Sequence, residues 1–174
     1  MKNIILVGYM GCGKTTVGKN LARTCNLCFL DTDEYIEEQQ GRTISEIFAT
    51  DSESAFRDME TDTLRQMIQN RKEGFVISTG GGMVLREENR ELLKQLGTVF
   101  YLKAMPETVY ERVKGDTKRP LLQCENPLNR IREMLSQREA AYEASANYIV
   151  MVDDKKQQEI AEKIKEIGKV EKIL

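Results

Sequence analysis

The residues Gly8-Tyr9-Met10-Gly11-Cys12-Gly13-Lys14-Thr15, with Thr16 behind them, fit G-x-x-x-x-G-K-[ST], the spacing of a phosphate-binding loop. The chemistry is that of an anion cradle. Three glycines let the backbone curl until successive N–H groups point at phosphate oxygens. A helix starting at the end of the loop adds the positive end of its dipole. Lys14 can bring a full charge to the terminal phosphates, and the Thr15 hydroxyl can ligate Mg²⁺. Gly11, Cys12, Gly13, Lys14, Thr15 and Thr16 are therefore the expected nucleotide-binding residues. Cys12 lies beside the helix start and Lys14, so it is expected to be the first thiol alkylated.

Three further signals stand at strand ends or in loops. Asp31 and Asp33 follow the strand-like run Leu27-Cys28-Phe29-Leu30. If the strand continues, its period of two aims both carboxylates the same way. One could hold Mg²⁺, directly or through water, and the other could accept hydrogen bonds from a hydroxylated substrate. An Asp N-cap on the following helix is the competing reading for one of them. Gly80-Gly81-Gly82 comes straight after Phe75-Val76-Ile77, so the backbone there turns sharply or approaches something closely. Arg57, Arg112, Arg119 and Arg138 stand near these elements. Arg57 follows Phe56, which points to the core. Arg119 sits beside Pro120 in Lys114 to Glu125, a stretch with no helical or strand period. Such a stretch is expected to be a lid, with Arg119 neutralising charge in a phosphoryl-transfer transition state. The chain has no His, so acid–base work falls to Asp, Glu, Lys or water.

The elements that must position these residues alternate. Ile4-Ile5-Leu6-Val7 reads as a buried strand, and Val17, Leu21, Ala22 and Cys25 mark the helix after the loop. The second strand, Leu27–Leu30, leads into a helix from about Glu34 to Gln40, ended by Gly41. Thr43-Ile44-Ser45-Glu46 is a capping box. A long helix follows, from about Glu53 to Lys72. Phe75–Ile77, Val99–Leu102 and Tyr148–Val152 are the remaining strands. Helices fall at Arg86–Leu96, closed by Gly97, from Pro106 to about Val113, from Asn126-Pro127 to about Ala144, and from Lys155 to Ile167, stopped by Gly168. The tail from Lys169 is expected to fray. Alternation of this kind implies a parallel sheet covered on both faces.

Composition sets the frame. The 174 residues are 40% hydrophobic and 31% charged, with a net charge of -2. That suits one globular domain and gives no global attraction to nucleic acid or acidic membranes. No run approaches the ~20 apolar residues of a membrane span, and the segment before Gly8 is too short for a signal peptide. A soluble cytoplasmic protein is expected. Cys25-x-x-Cys28 lacks the second half of a zinc site, so the four cysteines read as reduced, buried, hydrophobe-like residues.

Taken together, the motifs resemble the shikimate kinase family over nearly the whole chain, from Ile4 to about Asp153. They are the loop Gly8–Thr16, Asp31-Thr32-Asp33, Glu53-x-x-Phe56-Arg57-x-x-Glu60, Gly80-Gly81-Gly82, Arg119-Pro120-Leu121-Leu122, and Arg138 with Tyr142 four residues on. The resemblance implies a three-layer α/β/α P-loop NTPase fold with a five-stranded parallel sheet of order 2-3-1-4-5. It implies one domain, 1–174, with a substrate-binding subdomain at about 31–62 and a lid at about 114–125. The implied reaction moves the γ-phosphate of ATP to the 3-hydroxyl of shikimate, in aromatic amino-acid biosynthesis. By position, Asp33, Arg57, Gly80, Gly81 and Arg138 would bind shikimate, and Lys14, Asp33 and Arg119 would be catalytic. Lys14 and Arg119 would hold the transferring phosphate. Thr15, and Asp31 through water, would serve Mg²⁺, and Arg112 would flank the adenine. The expected partners are shikimate and ATP, with neither nucleic acid nor membrane, and the protein is expected to be a monomer. Where members often carry Arg after the last strand, this chain reads Asp154-Lys155-Lys156, and Lys cannot stack as a planar guanidinium does. A gluconate-type sugar-acid kinase is the nearest alternative. A GTP-binding switch is another, but no Asn-Lys-x-Asp guanine motif is present.

Overall fold

The computed structural model describes residues 2–115 and 124–173. Five strands form one all-parallel sheet in the order β2-β3-β1-β4-β5. They are β1 (Asn3–Val7), β2 (Cys28–Asp31), β3 (Phe75–Ser78), β4 (Gly97–Lys103) and β5 (Tyr148–Met151). β1 sits in the middle because Ile4, Ile5, Leu6 and Val7 have no polar face to turn to water, and all four are fully buried. Its neighbours are fixed in register, Ile5 opposite Ile77 on one side and Val99 on the other.

Among the described residues eight α-helices surround the sheet: α1 (Lys14–Cys25), α2 (Thr32–Gln40), α3 (Ile44–Thr50), α4 (Glu53–Gln69), α5 (Glu87–Leu96), α6 (Pro106–Val113), α7 (Pro127–Ser145) and α8 (Gln157–Val170). α1 packs on α8 and over β1 to β3, while α4, α5, α6 and α7 pack on one another, α5 and α7 over β4. The architecture is the expected P-loop α/β fold. Among the described residues no helix is long and apolar enough to cross a membrane. The main core follows the sheet. A second, separate core gathers Ile36, Ile47 and Phe56, with Ile44 and Met59 packed against it. It belongs to α2, α3 and the first half of α4, where the acceptor-side subdomain is expected.

The local signals act as the sequence implies at Gly41, which caps α2 with φ 62°, and at Thr43, whose side chain and Glu46 form the full capping box. Three differences from the expected elements bear on the site and the tail. α2 begins at Thr32 rather than Glu34, because Asp31 caps it by accepting the Asp33 N–H. The strand therefore stops at Asp31 and does not carry both carboxylates outward by its period. A 3-10 turn, Met83–Leu85, follows the glycine triplet. α8 runs through Gly168, which is buried inside it, and the tail does not fray. Ile173 is buried, its N–H donates to Gly168 O at 2.9 Å, and its carbonyl accepts from the Lys2 N–H at 3.3 Å. A buried apolar residue near the end outweighs a mid-helix glycine's entropic cost of about 1 kcal/mol. Most of the expected lid, including Arg119, falls on 116–123 and so lies outside the described residues.

Candidate active site

A cleft of about 470 Å³ opens at the carboxyl ends of β1, β2 and β3, where an open parallel sheet takes its ligands. One wall is the phosphate loop. Gly11 and Gly13 have φ of 74° and 100°, a left-handed region in which side chains are strained. Gly13 is the N-cap of α1 and provides no side-chain cap, and the first turn holds no acidic residue. The orphan N–H groups of α1 are thus left to an anion. Lys14 Nζ curls over the same loop and donates to Gly8 O at 2.7 Å and Tyr9 O at 3.1 Å. Thr15 and Thr16 line the cleft beside it.

Arg112, at the end of α6, fastens this wall. It donates to Gly11 O and Cys12 O, each at 3.2 Å, and to Val152 O at 3.3 Å. Gln157, the first residue of α8, lines the cleft next to Arg112. No pattern in the sequence marks Gln157, since only the folding of α8 against α1 brings it there. Lys155 donates to Met151 O at 3.1 Å, so its ammonium closes the end of β5.

The facing wall carries the carboxylates. Asp31 Oδ2 accepts from Thr15 Oγ1 at 3.4 Å, which joins the loop to β2. Asp33 also lines the cleft, from the first turn of α2. Both carboxylates reach one space, by a cap and a helical turn rather than by strand period. Burial raises the Asp33 pKa to about 6, helped by the charge of Asp31 and opposed by those of Lys14 and Arg57. Asp33 Oδ1 is buried without a hydrogen-bond partner.

The glycine triplet forms the floor. A Cβ on Gly80 would sit 2.6 Å from Asp33 Oδ1, and one on Gly82 would collide with the Arg57 guanidinium. The close approach expected from three glycines is thus to charged side chains. The Gly80 N–H is not free for a ligand, because it donates to Thr32 Oγ1 at 3.1 Å. Arg57 donates to Glu60 Oε2 at 2.7 Å and to Glu53 Oε1 at 3.3 Å. The Glu60 side chain is fully buried. Burial raises its pKa to about 7 against the pull of Arg57, with the Asp33 charge adding to the rise. Arg138, from α7, lies over the Gly81 end of the triplet, its Nη1 3.9 Å from where a Gly81 Cβ would stand. Arg57 and Arg138 therefore meet the site at its glycine floor, from opposite helices. Glu60 and Tyr142 belong to motifs visible in the sequence; the Glu60 contact with Arg57 is an i,i+3 pair on α4, whereas the Tyr142 contact with Gly81 spans 61 residues and no spacing announces it.

Cys12 corrects an expectation. It is fully buried behind the loop, whereas Cys28 and Cys124 are exposed. Access precedes activation in thiol alkylation. Iodoacetamide is expected to label Cys28 and Cys124 well before Cys12. Peptide mapping that found Cys12 modified first would show that the loop opens far more than this packing allows.

The cleft joins an anion cradle, two carboxylates and a glycine floor, and Arg57 and Arg138 stand against the glycine triplet without lining the cleft itself. A family model described as shikimate kinase matches residues 10–168. The chain belongs to the shikimate kinase family. It is accordingly an ATP-dependent kinase, a phosphotransferase acting on an alcohol group. A shikimate kinase of Thermodesulfovibrio yellowstonii is 46% identical over 164 residues, which is 94% of this chain and 93% of that one. The structure of a shikimate kinase from Acinetobacter baumannii in complex with shikimate superposes with a TM-score of 0.90 at 39% identity, covering 100% of this chain and 96% of that one. One from Aquifex aeolicus gives a TM-score of 0.81 at 34% identity, covering 97% and 98%. A gluconokinase from Sinorhizobium meliloti reaches 0.56 at 15% identity, covering 92% and 87%, which is a likeness of fold alone.

Proposed function

We propose that this chain moves the γ-phosphate of ATP to the 3-hydroxyl of shikimate, and that the two walls of the cleft divide the work. The phosphate loop from Gly11 to Thr16 holds the nucleotide phosphates, with Arg112 at the base side. Asp33, Arg57, Gly80, Gly81 and Arg138 hold shikimate. The observation that carries this reading is the meeting of Asp33 and two guanidinium groups at one glycine floor. Shikimate offers a carboxylate and hydroxyls together, and each group finds its complement there. Arg forks suit a carboxylate, and an ionised Asp accepts from a hydroxyl.

In this reading Asp33 orients the attacking 3-hydroxyl and takes its proton as the O–P bond forms and the bond to the ADP oxygen breaks. Lys14 and Arg119 neutralise charge on the transferring phosphoryl group, which needs cations more than a strong base. Arg119 takes this role by its place in Arg119-Pro120-Leu121-Leu122. The Thr15 hydroxyl and the Asp31 carboxylate, 3.4 Å apart and on the cleft, are hard oxygen donors of the kind Mg²⁺ prefers. Among the described residues no three His, Cys, Asp or Glu side chains form a metal cage. That suits an ion shared with nucleotide phosphates and water, which would neutralise phosphate charge. The chain is taken to act as a monomer in the cytoplasm on these small molecules, without nucleic acid or membrane.

Release of ADP, followed with shikimate and with gluconate as acceptors, tests the assignment. Shikimate is expected to be favoured by at least ~100-fold in kcat/KM. Equal rates would transfer the site to the sugar-acid alternative.

The raised pKa of Asp33 adds a pH signature. Turnover is expected to fall as pH drops through about 6, where the acceptor carboxylate takes up a proton. Stability moves the other way. The folded state holds the Asp33 proton more tightly than the unfolded chain, so this contribution is full below about 3.8 and is lost as pH rises through about 6. Asp33→Asn is expected to lose turnover yet melt later than the parent at pH 8, by about 2 kcal/mol of stability, with little difference at pH 4. Thermal denaturation of both proteins at the two pH values checks this. A variant less stable at pH 8 would mean that Asp33 supports the fold rather than straining it.

A further inference from the structure

Arg57 and Arg138 reach the same floor but are held in different ways. Arg57 is paired with two carboxylates, Glu60 and Glu53. Among the described residues no carboxylate pairs with Arg138. Its guanidinium lies over the Tyr9 ring, Cζ 5.9 Å from the centroid, and against the Tyr142 hydroxyl. That hydroxyl donates to Gly81 O at 2.6 Å, which commits its proton and leaves its lone pairs to accept. A hydroxyl already donating is a better acceptor. The Tyr142 ring is 1% exposed and stacks on Tyr101 with centroids 5.0 Å apart and planes at 21°, so it cannot swing away.

We propose that Tyr142, with the Tyr9 ring opposite, is the positioning residue of Arg138: a neutral seat that aims the guanidinium at the acceptor site without discharging it. A carboxylate in the same place would orient Arg138 equally well, but it would occupy the fork and cancel the charge that an anionic substrate needs. A phenol takes one N–H and leaves the charge whole. The same hydroxyl pins the Gly81 peptide, so one atom sets both the arginine and the floor beneath it. The inference rests on the reading of Arg138 as a shikimate ligand.

A double-mutant cycle separates the two claims. Tyr142→Phe keeps the ring and removes only the hydroxyl. It is expected to weaken shikimate about 10-fold, through KM rather than kcat, and to leave MgADP affinity unchanged. In an Arg138→Ala background the same substitution is expected to change shikimate affinity less than 2-fold, because its target is gone. The proposal is overturned if Tyr142→Phe leaves shikimate affinity intact, or if its loss is equal in both backgrounds, which would mark a structural role. If Arg138→Ala itself does not weaken shikimate, the reading of Arg138 as ligand falls, and its seat with it. Should Tyr142→Phe fail to bind MgADP, Tyr9→Leu removes the opposite side of the seat and enters the same cycle. An equal shikimate loss with and without Arg138 would again refute the seat.

Discussion

Replacing Lys14 by Met is expected to leave a folded protein that turns over about 1,000-fold more slowly. The reason lies in what Lys14 does and does not touch. Its Nζ donates to the carbonyls of Gly8 and Tyr9 rather than to a carboxylate, so among the described residues no ion pair depends on it. Its charge is instead held inside the loop whose N–H groups are proposed to receive phosphate. In phosphoryl transfer the protein contributes mainly position and charge, and Met supplies the length without the charge. A second effect follows at Asp33, whose pKa the Lys14 charge holds down. Without it the acidic limb of any remaining activity moves to higher pH. Circular dichroism and a coupled ADP assay between pH 5 and 9 check both statements. If the folded variant kept more than about a tenth of parental turnover, its charge would not be acting on the transferring phosphate.

Arg57→Ala carries the second largest effect, and it acts twice. Shikimate binding is expected to weaken by about 2–5 kcal/mol, since the substrate carboxylate loses a partly buried partner. Stability is also expected to fall, because Glu60 is fully buried and Arg57 is its counter-ion at 2.7 Å. Removing one side of such a pair costs about 3–5 kcal/mol when the remaining charge stays ionised. The Glu60 pKa is already raised to about 7 by burial, and losing Arg57 pushes it higher. The folded variant therefore keeps a neutral Glu60 at pH 5, and its deficit grows as pH rises through 7 and beyond. Arg57→Lys keeps the charge without the fork, so it recovers stability better than affinity. MgADP affinity is expected to be unchanged in both. Calorimetric titrations with shikimate and with MgADP, beside melts at pH 5 and 8, test this. Equal weakening of the two ligands would place Arg57 on the nucleotide side.

The sequence made the loop and the sheet legible because their signals are local. Ile4 to Val7 can only be a strand buried on both faces, and the glycines of the loop have φ values that few other residues tolerate. The capping box at Thr43 is equally local. Asp31 and Asp33 were visible as a pair, but the geometry behind them was not. A cap hydrogen bond to the Asp33 N–H starts α2 at Thr32, so the strand does not run on to Asp33, and local side-chain capping wins over strand period. The tail shows the same limit from the other side. Ile173 is ordered by contacts with the start of the chain, which no window around Gly168 contains. Arg57 was legible as a cation near a core residue, whereas its two counter-ions needed the helix to be built. Cys12 is no longer expected to be the first thiol alkylated, because it is buried in the main core near Tyr101 and Tyr142, which its neighbours in sequence do not show.

The small core of Ile36, Ile47 and Phe56 has one more consequence. It gives the acceptor side cohesion that does not draw on the sheet. Such a module can be exchanged as a cassette. Substitutions that reshape it for a different alcohol repack against Ile44 and Met59, not against the strands that align the phosphate loop. The module is joined to the rest where Asp31 ends its strand, where the Gly80 N–H donates to Thr32 and Arg86 reaches α4, and where α4 leaves it.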